Sequence, residues 1–116
     1  MSIGIPGMSL MVLSPVAHSA EHSVNVFKEL DYASLLVARE AVQQALETRP
    51  SHEPHYWSVR NVAEGVVIPR RTWRSASGHW CREFEENVQL INGSSHSSVS
   101  VRCRTTDGRW KLPGGD

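Results

Sequence analysis

Two cysteines in the last third of this 116-residue sequence lie in similar phrases, and they constrain the fold more than any other feature. Cys81 lies in Trp-Cys-Arg-Glu-Phe, and Cys103 lies in Arg-Cys-Arg. Between them is Asn92-Gly93, a dipeptide typical of tight hairpin turns. The arrangement predicts two antiparallel strands that carry one cysteine each.

The register of this hairpin can be drawn in two ways. A two-residue turn places Val101 opposite Phe84, as the apolar pattern favours, and directs Cys81 to the other face from Cys103. A three-residue loop, Ile91-Asn92-Gly93, closed by a glycine bulge places Cys81 directly opposite Cys103, but Val99 and Val101 then face glutamates. A β-bulge between the turn and the cysteines would satisfy both patterns, because it adds one residue to one strand.

The cysteine pair allows a disulfide, two buried thiols or two metal ligands. A zinc site needs further ligands at short spacing, and the one near neighbour, His79, alternates to another position along the strand. In an oxidising compartment we expect a Cys81–Cys103 disulfide, and in a reducing one free thiols. The sequence predicts no metal and no cofactor.

Residues 31–49 have the periodicity of an amphipathic helix. Asp31 is a suitable N-cap, and Pro50 ends the helix because the residue before a proline avoids the α region. One face is apolar and rich in alanine, which suits packing on a sheet. Its members are Leu35, Ala38, Val42, Ala45 and Leu46.

After residue 54 the pattern changes to short β-rich runs, at residues 55–60, 65–73, 79–90, 97–104 and 109–112. Their connections are too short for parallel crossovers, so the strands are antiparallel. The predicted fold class is α+β, with one N-terminal amphipathic helix packed on a four- to five-stranded antiparallel meander sheet. We expect a lead-in at residues 1–27, the domain at 28–112 and a tail at 113–116.

The ends and the charge bear on compartment and partners. Residues 1–20 carry no charge, and an apolar stretch there precedes Ala17 and Ser19, which resembles the end of a secretory signal without a basic leader. Glycine and proline interrupt the stretch, so it does not predict a transmembrane segment. Twelve basic and twelve acidic side chains cancel, which argues against a nucleic-acid partner.

Arg70, Arg71 and Arg74 flank Trp73, a cluster of the kind that binds phosphate, lipid head groups or sugar chains. The competing interpretation is an edge strand whose charges prevent aggregation, and the pattern favours it. Glu83 and Glu85 resemble a catalytic pair of carboxylates, but ion pairing with Arg102 or Arg104 explains them without catalysis. We therefore predict no enzymatic activity.

Taken together, the motifs resemble the C-terminal domain of the bacterial 17 kDa surface-antigen (outer-membrane lipoprotein) family over residues 28–112. They are a leading helix at 41–51, Trp57, Gly-Val-Val-Ile-Pro at 65–69, Gly-His-Trp-Cys-Arg-Glu-Phe at 78–84, Asn92-Gly93, Cys103-Arg104 and Asp-Gly-Arg-Trp-Lys at 107–111. The resemblance implies a protein of the periplasm or outer membrane.

We expect a non-enzymatic structural or protein-interaction module with an envelope protein as partner. One alternative is an inhibitor of a cell-wall enzyme such as lysozyme, for which residues 94–98 are the candidate protruding loop. Another is a binder of anionic envelope lipid or polymer, peripherally associated with the membrane through Arg70, Arg71, Trp73 and Arg74.

Overall fold

The computed structural model describes residues 26–113, and the predicted export signal lies outside them. A short 3₁₀ helix, Val26–Glu29, precedes one α-helix and a five-stranded sheet. The elements are α1 (Tyr32–Thr48), β1 (His55–Val59), β2 (Ala63–Arg74), β3 (Trp80–Leu90), β4 (Ser95–Arg104) and β5 (Trp110–Lys111). All neighbouring strands are antiparallel and follow chain order across the sheet, so the predicted α+β meander is confirmed.

Helix α1 packs its alanine-rich face against the sheet, mainly over β1 and β2. Asp31 has the extended backbone of an N-cap, although its side chain makes no capping hydrogen bond. The predicted apolar face is buried, except that Leu35 is only partly covered. Val26 is also fully buried, so the core begins two residues before the expected start of the domain.

A close contact between β1 and β2 explains one glycine of the motifs. Trp57 lies opposite Gly65 in the β1–β2 register, and its ring covers the glycine on the helix side of the sheet. A Cβ atom on Gly65 would lie 2.5 Å from the ring. Glycine at this position is therefore required for Trp57 to lie flat in the core.

The β3–β4 hairpin adopts the register with a three-residue loop. Cys81 lies opposite Cys103, and the pairing continues without a shift to Gln89 opposite Ser95. Gly93 closes the loop with φ +96°, a conformation that favours glycine. The two-residue turn is wrong, and no further bulge lies between the loop and the cysteines.

This register divides the side chains of β4 in a way that the apolar pattern did not predict. Phe84 lies opposite Ser100, whereas Val99 and Val101 face away from the helix beside Glu85 and Glu83. Polar residues are tolerated on the helix side of β4 because α1 lies mainly over β1 and β2. We call the sheet surface opposite the helix the outer face.

Candidate interaction surfaces

A disulfide joins β3 and β4 on the outer face. The Cα atoms of Cys81 and Cys103 are 3.9 Å apart, and their sulfurs are bonded. The backbone amide of Leu90 donates to the carbonyl of Ser94, so even-numbered residues of β4 bond to β3 and Cys103 does not. Side chains approach most closely at such non-hydrogen-bonded positions. The predicted disulfide is confirmed.

The outer face is partly apolar, and no element among residues 26–113 packs over it. Its apolar members come from three strands, and Tyr56 is 73% exposed while Val99 is 52% exposed. They are Tyr56, Val66, Ile68, Trp73, Val99 and Val101.

A depression of about 660 Å³ lies on the outer face and extends from β1 across the sheet to Ser95 and Ser97 of β4. Tyr56 and Val66 supply its apolar wall, and Glu64, Asn87 and Gln89 supply hydrogen-bonding groups. The combination of apolar wall and polar groups is what a binding surface offers to a partner.

The arginine cluster lies at an edge of the sheet. β1 pairs with β2 only as far as Val67, and His52 N–H donates to the carbonyl of Pro69, so within the described range β2 has no strand partner on that side from Arg70 onward. Arg70 and Arg71 together oppose Glu83 in a β-bulge between Pro69 and Thr72. This geometry is the one that the edge-strand interpretation requires.

Most of the clustered arginines already have partners. The Nε of Arg71 lies 3.3 Å from Glu83 Oε1, and its guanidinium stacks 4.9 Å from the Trp73 ring. Arg74 stacks 5.0 Å from the ring of Trp80. The predicted pairing of Glu83 with Arg102 or Arg104 is wrong, because both arginines project from the helix side of the sheet.

Polar residues of α1 bind the last hairpin. Glu47 accepts hydrogen bonds from Arg104 Nε at 2.9 Å and from the indole N–H of Trp110 at 2.9 Å. Both bonds lower the pKa of Glu47 below its ordinary value, and the bond from Arg104 has the larger effect. This contact was not predicted from the sequence, although Glu40, Gln43 and Glu47 share one helical stripe.

Arg82 caps the C-terminal end of α1 from beneath. Its side chain is buried, and Nη1 donates to the carbonyls of Leu46 and Arg49, each at 2.8 Å. Nε donates to Thr72 Oγ1 at 2.9 Å. Burial lowers the pKa of Arg82. A cation at this end is stabilised by the helix dipole and by carbonyls that lack partners within the helix.

Two other predicted features can be placed. Residues 95–98 belong to strand β4, so the expected protruding loop at 94–98 is wrong, and the loop is formed by Ile91, Asn92 and Gly93. Among residues 26–113, no group of three or more His, Cys, Asp and Glu side chains has the spacing of a metal site.

Part of the chain is similar in sequence to known bacterial surface antigens. Over 71 residues it is 37% identical to the 17 kDa surface antigens of Rickettsia conorii and Rickettsia rickettsii, and 35% identical to that of Rickettsia prowazekii. The match covers 60% of this chain and 44% of each relative, so it spans less than half of their length. No family model and no solved structure matches.

These relatives indicate a protein associated with the cell envelope. The one α-helix between residues 26 and 113 is not long and apolar enough to cross a membrane. The relatives confirm the resemblance to the 17 kDa surface antigens that was drawn from the motifs.

Proposed function

We propose that the domain is a non-enzymatic protein-interaction module of the periplasm or outer membrane, which binds an envelope protein through its outer face. The observation that carries the proposal is the depression beside Tyr56 and Val66 on a sheet face that no described element covers. Exposed apolar surface rimmed by polar groups marks interaction sites in soluble domains.

The outer face is suited to recognition because its backbone is held in place. The Cys81–Cys103 bond joins β3 to β4, and β2 is paired on both sides where it forms the depression. A preorganised surface loses little conformational entropy when a partner binds. Two carboxylates on this face serve local contacts, since Glu83 pairs with Arg71 and Glu85 accepts a hydrogen bond from Asn87.

Two tyrosines of equal exposure provide a matched test. Tyr56 on the outer face is 73% exposed, and Tyr32 on the helix is 74% exposed. We would replace each in turn with the photo-crosslinking residue p-benzoylphenylalanine and irradiate the full chain in envelope fractions. The proposal expects a discrete protein adduct from position 56 and none from position 32. No adduct from position 56, or the same adducts from both positions, would contradict it.

A second candidate function is binding of an anionic envelope lipid or polymer by Arg70, Arg71, Trp73 and Arg74. It is favoured by two arginine–tryptophan stacks at the end of the β2–β3 hairpin. Arg71 on Trp73 lies on the outer face, and Arg74 on Trp80 lies on the helix side, where Trp80 is 46% exposed. The test is titration of anionic vesicles with the wild type and with Arg70→Gln/Arg71→Gln/Arg74→Gln. Binding that salt weakens and that the triple variant loses would support it; unchanged binding would exclude it.

A further inference from the structure

Strand β4 has a long open edge. It pairs with β3 along its length, but on its other side β5 pairs only with Cys103 and Arg104. From Ser95 to Arg102, no strand within the described part of the chain lies on that side.

The backbone groups that point toward this edge can be identified. Leu90 N–H donates to Ser94 on the β3 side, whereas Thr105 N–H donates to Arg109 on the β5 side. Because these directions alternate along a strand, the odd-numbered residues of β4 point away from β3. The N–H and C=O groups of Ser95, Ser97, Val99 and Val101 therefore project outward from the sheet.

The two open edges of the sheet differ in their protection against pairing. The second half of β2 carries Pro69, a β-bulge and three arginines, which are the features that prevent strand addition. The β4 edge has no proline, lysine or bulge, and its outward residues are only serines and valines. Its regular register also keeps the edge straight enough to accept another strand.

We propose that β4 pairs with β4 of a second copy of this chain, antiparallel and about a two-fold axis, to form one continuous sheet. The register that places Ser97 opposite Val99 of the second copy, and Ser95 opposite Val101, uses every outward backbone group of both strands. The β3–β4 loop ends the overlap on one side and β5 ends it on the other.

A second copy fits this edge for two reasons. Between Ser95 and Val101 the strand carries no acidic side chain, lysine or arginine, so identical strands do not place such charges opposite each other. Each outward-pointing serine lies opposite a valine, which brings Val99 of the two copies into diagonal contact on the outer face. The contact goes beyond the proposed function, because it uses the backbone edge of β4. It meets the depression only at Ser95 and Ser97 and leaves the part formed by Tyr56, Glu64 and Val66 open.

Sedimentation equilibrium of the oxidised full chain, from micromolar to submillimolar concentration, tests the proposal. The wild type should show a monomer–dimer equilibrium. Val99→Lys, which adds a charge to the edge, should raise the dissociation constant at least about tenfold. Ser97→Pro should do the same, because it removes an outward N–H and no backbone bond to β3, although the Ser97 hydroxyl that donates to Asn87 is lost as well.

Val66→Lys is the matched control, because it places the same charge on the outer face away from the edge, and it should dimerise like the wild type. Circular dichroism would establish that the variants are folded, and Val99→Lys decides the matter if Ser97→Pro unfolds, since Val99 is already half exposed. A wild type that stays monomeric throughout, or a Val99→Lys variant that dimerises as the wild type does, would overturn the proposal.

Discussion

Gln43 and Trp110 are joined by two hydrogen bonds, each 2.8 Å long. The side-chain amide of Gln43 donates to the backbone carbonyl of Trp110, and its oxygen accepts from the backbone N–H of the same residue. The glutamine thus acts toward β5 as a neighbouring strand would. Because β5 has only two residues, this contact is a main reason that the last strand is ordered against the helix.

Gln43→Ala should lower the free energy of unfolding by about 1–3 kcal/mol, because both backbone groups of Trp110 lose their partner in a partly buried place. Gln44→Ala is the control, since Gln44 lies next along the helix and is exposed. Urea denaturation of the two variants measures the difference. If both variants lower the free energy of unfolding by the same small amount, the hydrogen bonds between Gln43 and Trp110 contribute little to stability.

Arg82→Met should destabilise the domain by about 2–3 kcal/mol, because the carbonyls of Leu46 and Arg49 would lose a charged donor. Arg70→Met removes the same charge at an exposed position and should be nearly neutral. Thermal unfolding and helix content by circular dichroism report both effects. If Arg82→Met keeps the wild-type midpoint, Arg82 is not the cap of α1.

The disulfide closes a loop between residues 22 positions apart and should stabilise the domain by roughly 3 kcal/mol. The measurement is urea unfolding of the oxidised wild type and of Cys81→Ala/Cys103→Ala. Free thiols that titrate in the unreduced, denatured protein would contradict the bond directly.

Periodicity was sufficient to predict the elements and their order, but the β3–β4 register required the cysteines. The rule that apolar residues share a face fails for Val99 and Val101, because the helix side of β4 lies largely beyond the reach of α1. Serines are therefore tolerated there, and the valines occupy the opposite face. Cysteine pairing was the better guide because a disulfide requires closely opposed positions.

The contacts of Gln43 and Arg82 could not be predicted from the sequence, because each depends on how the helix is placed across the sheet. Polar residues opposite an apolar stripe are usually solvated, and nothing local distinguishes Gln43 from Gln44. Arg82 and Phe84 are two residues apart and therefore lie on the same, helix-facing side of β3. This spacing was a usable signal that Arg82 is buried. By contrast, the edge position of the arginine cluster could be predicted, because it follows from the proline, the charges and the short β1.

Glu86→Gln should stabilise the domain at neutral pH. Burial raises the pKa of Glu86 above its ordinary value of 4.5, and the charges of His96 and Arg102 oppose the shift only in part. A raised pKa in the folded state means that the wild type loses stability as pH rises above about 4.5. The advantage of the glutamine variant should therefore shrink as pH falls to that value. Urea unfolding of the wild type and of Glu86→Gln measures the difference in their free energies of unfolding. A difference that does not change with pH would refute this assignment.

The most direct test of the account is the yield of photo-crosslinked protein from p-benzoylphenylalanine at position 56 in a chain that also carries Val66→Lys. If the outer face binds an envelope protein, this charge in the depression should abolish the adduct, while Leu36→Lys on the helix, at a position 45% exposed, should leave it unchanged. Both chains should unfold at temperatures close to that of the wild type. An adduct that persists with Val66→Lys would contradict the assignment of the outer face as the binding surface.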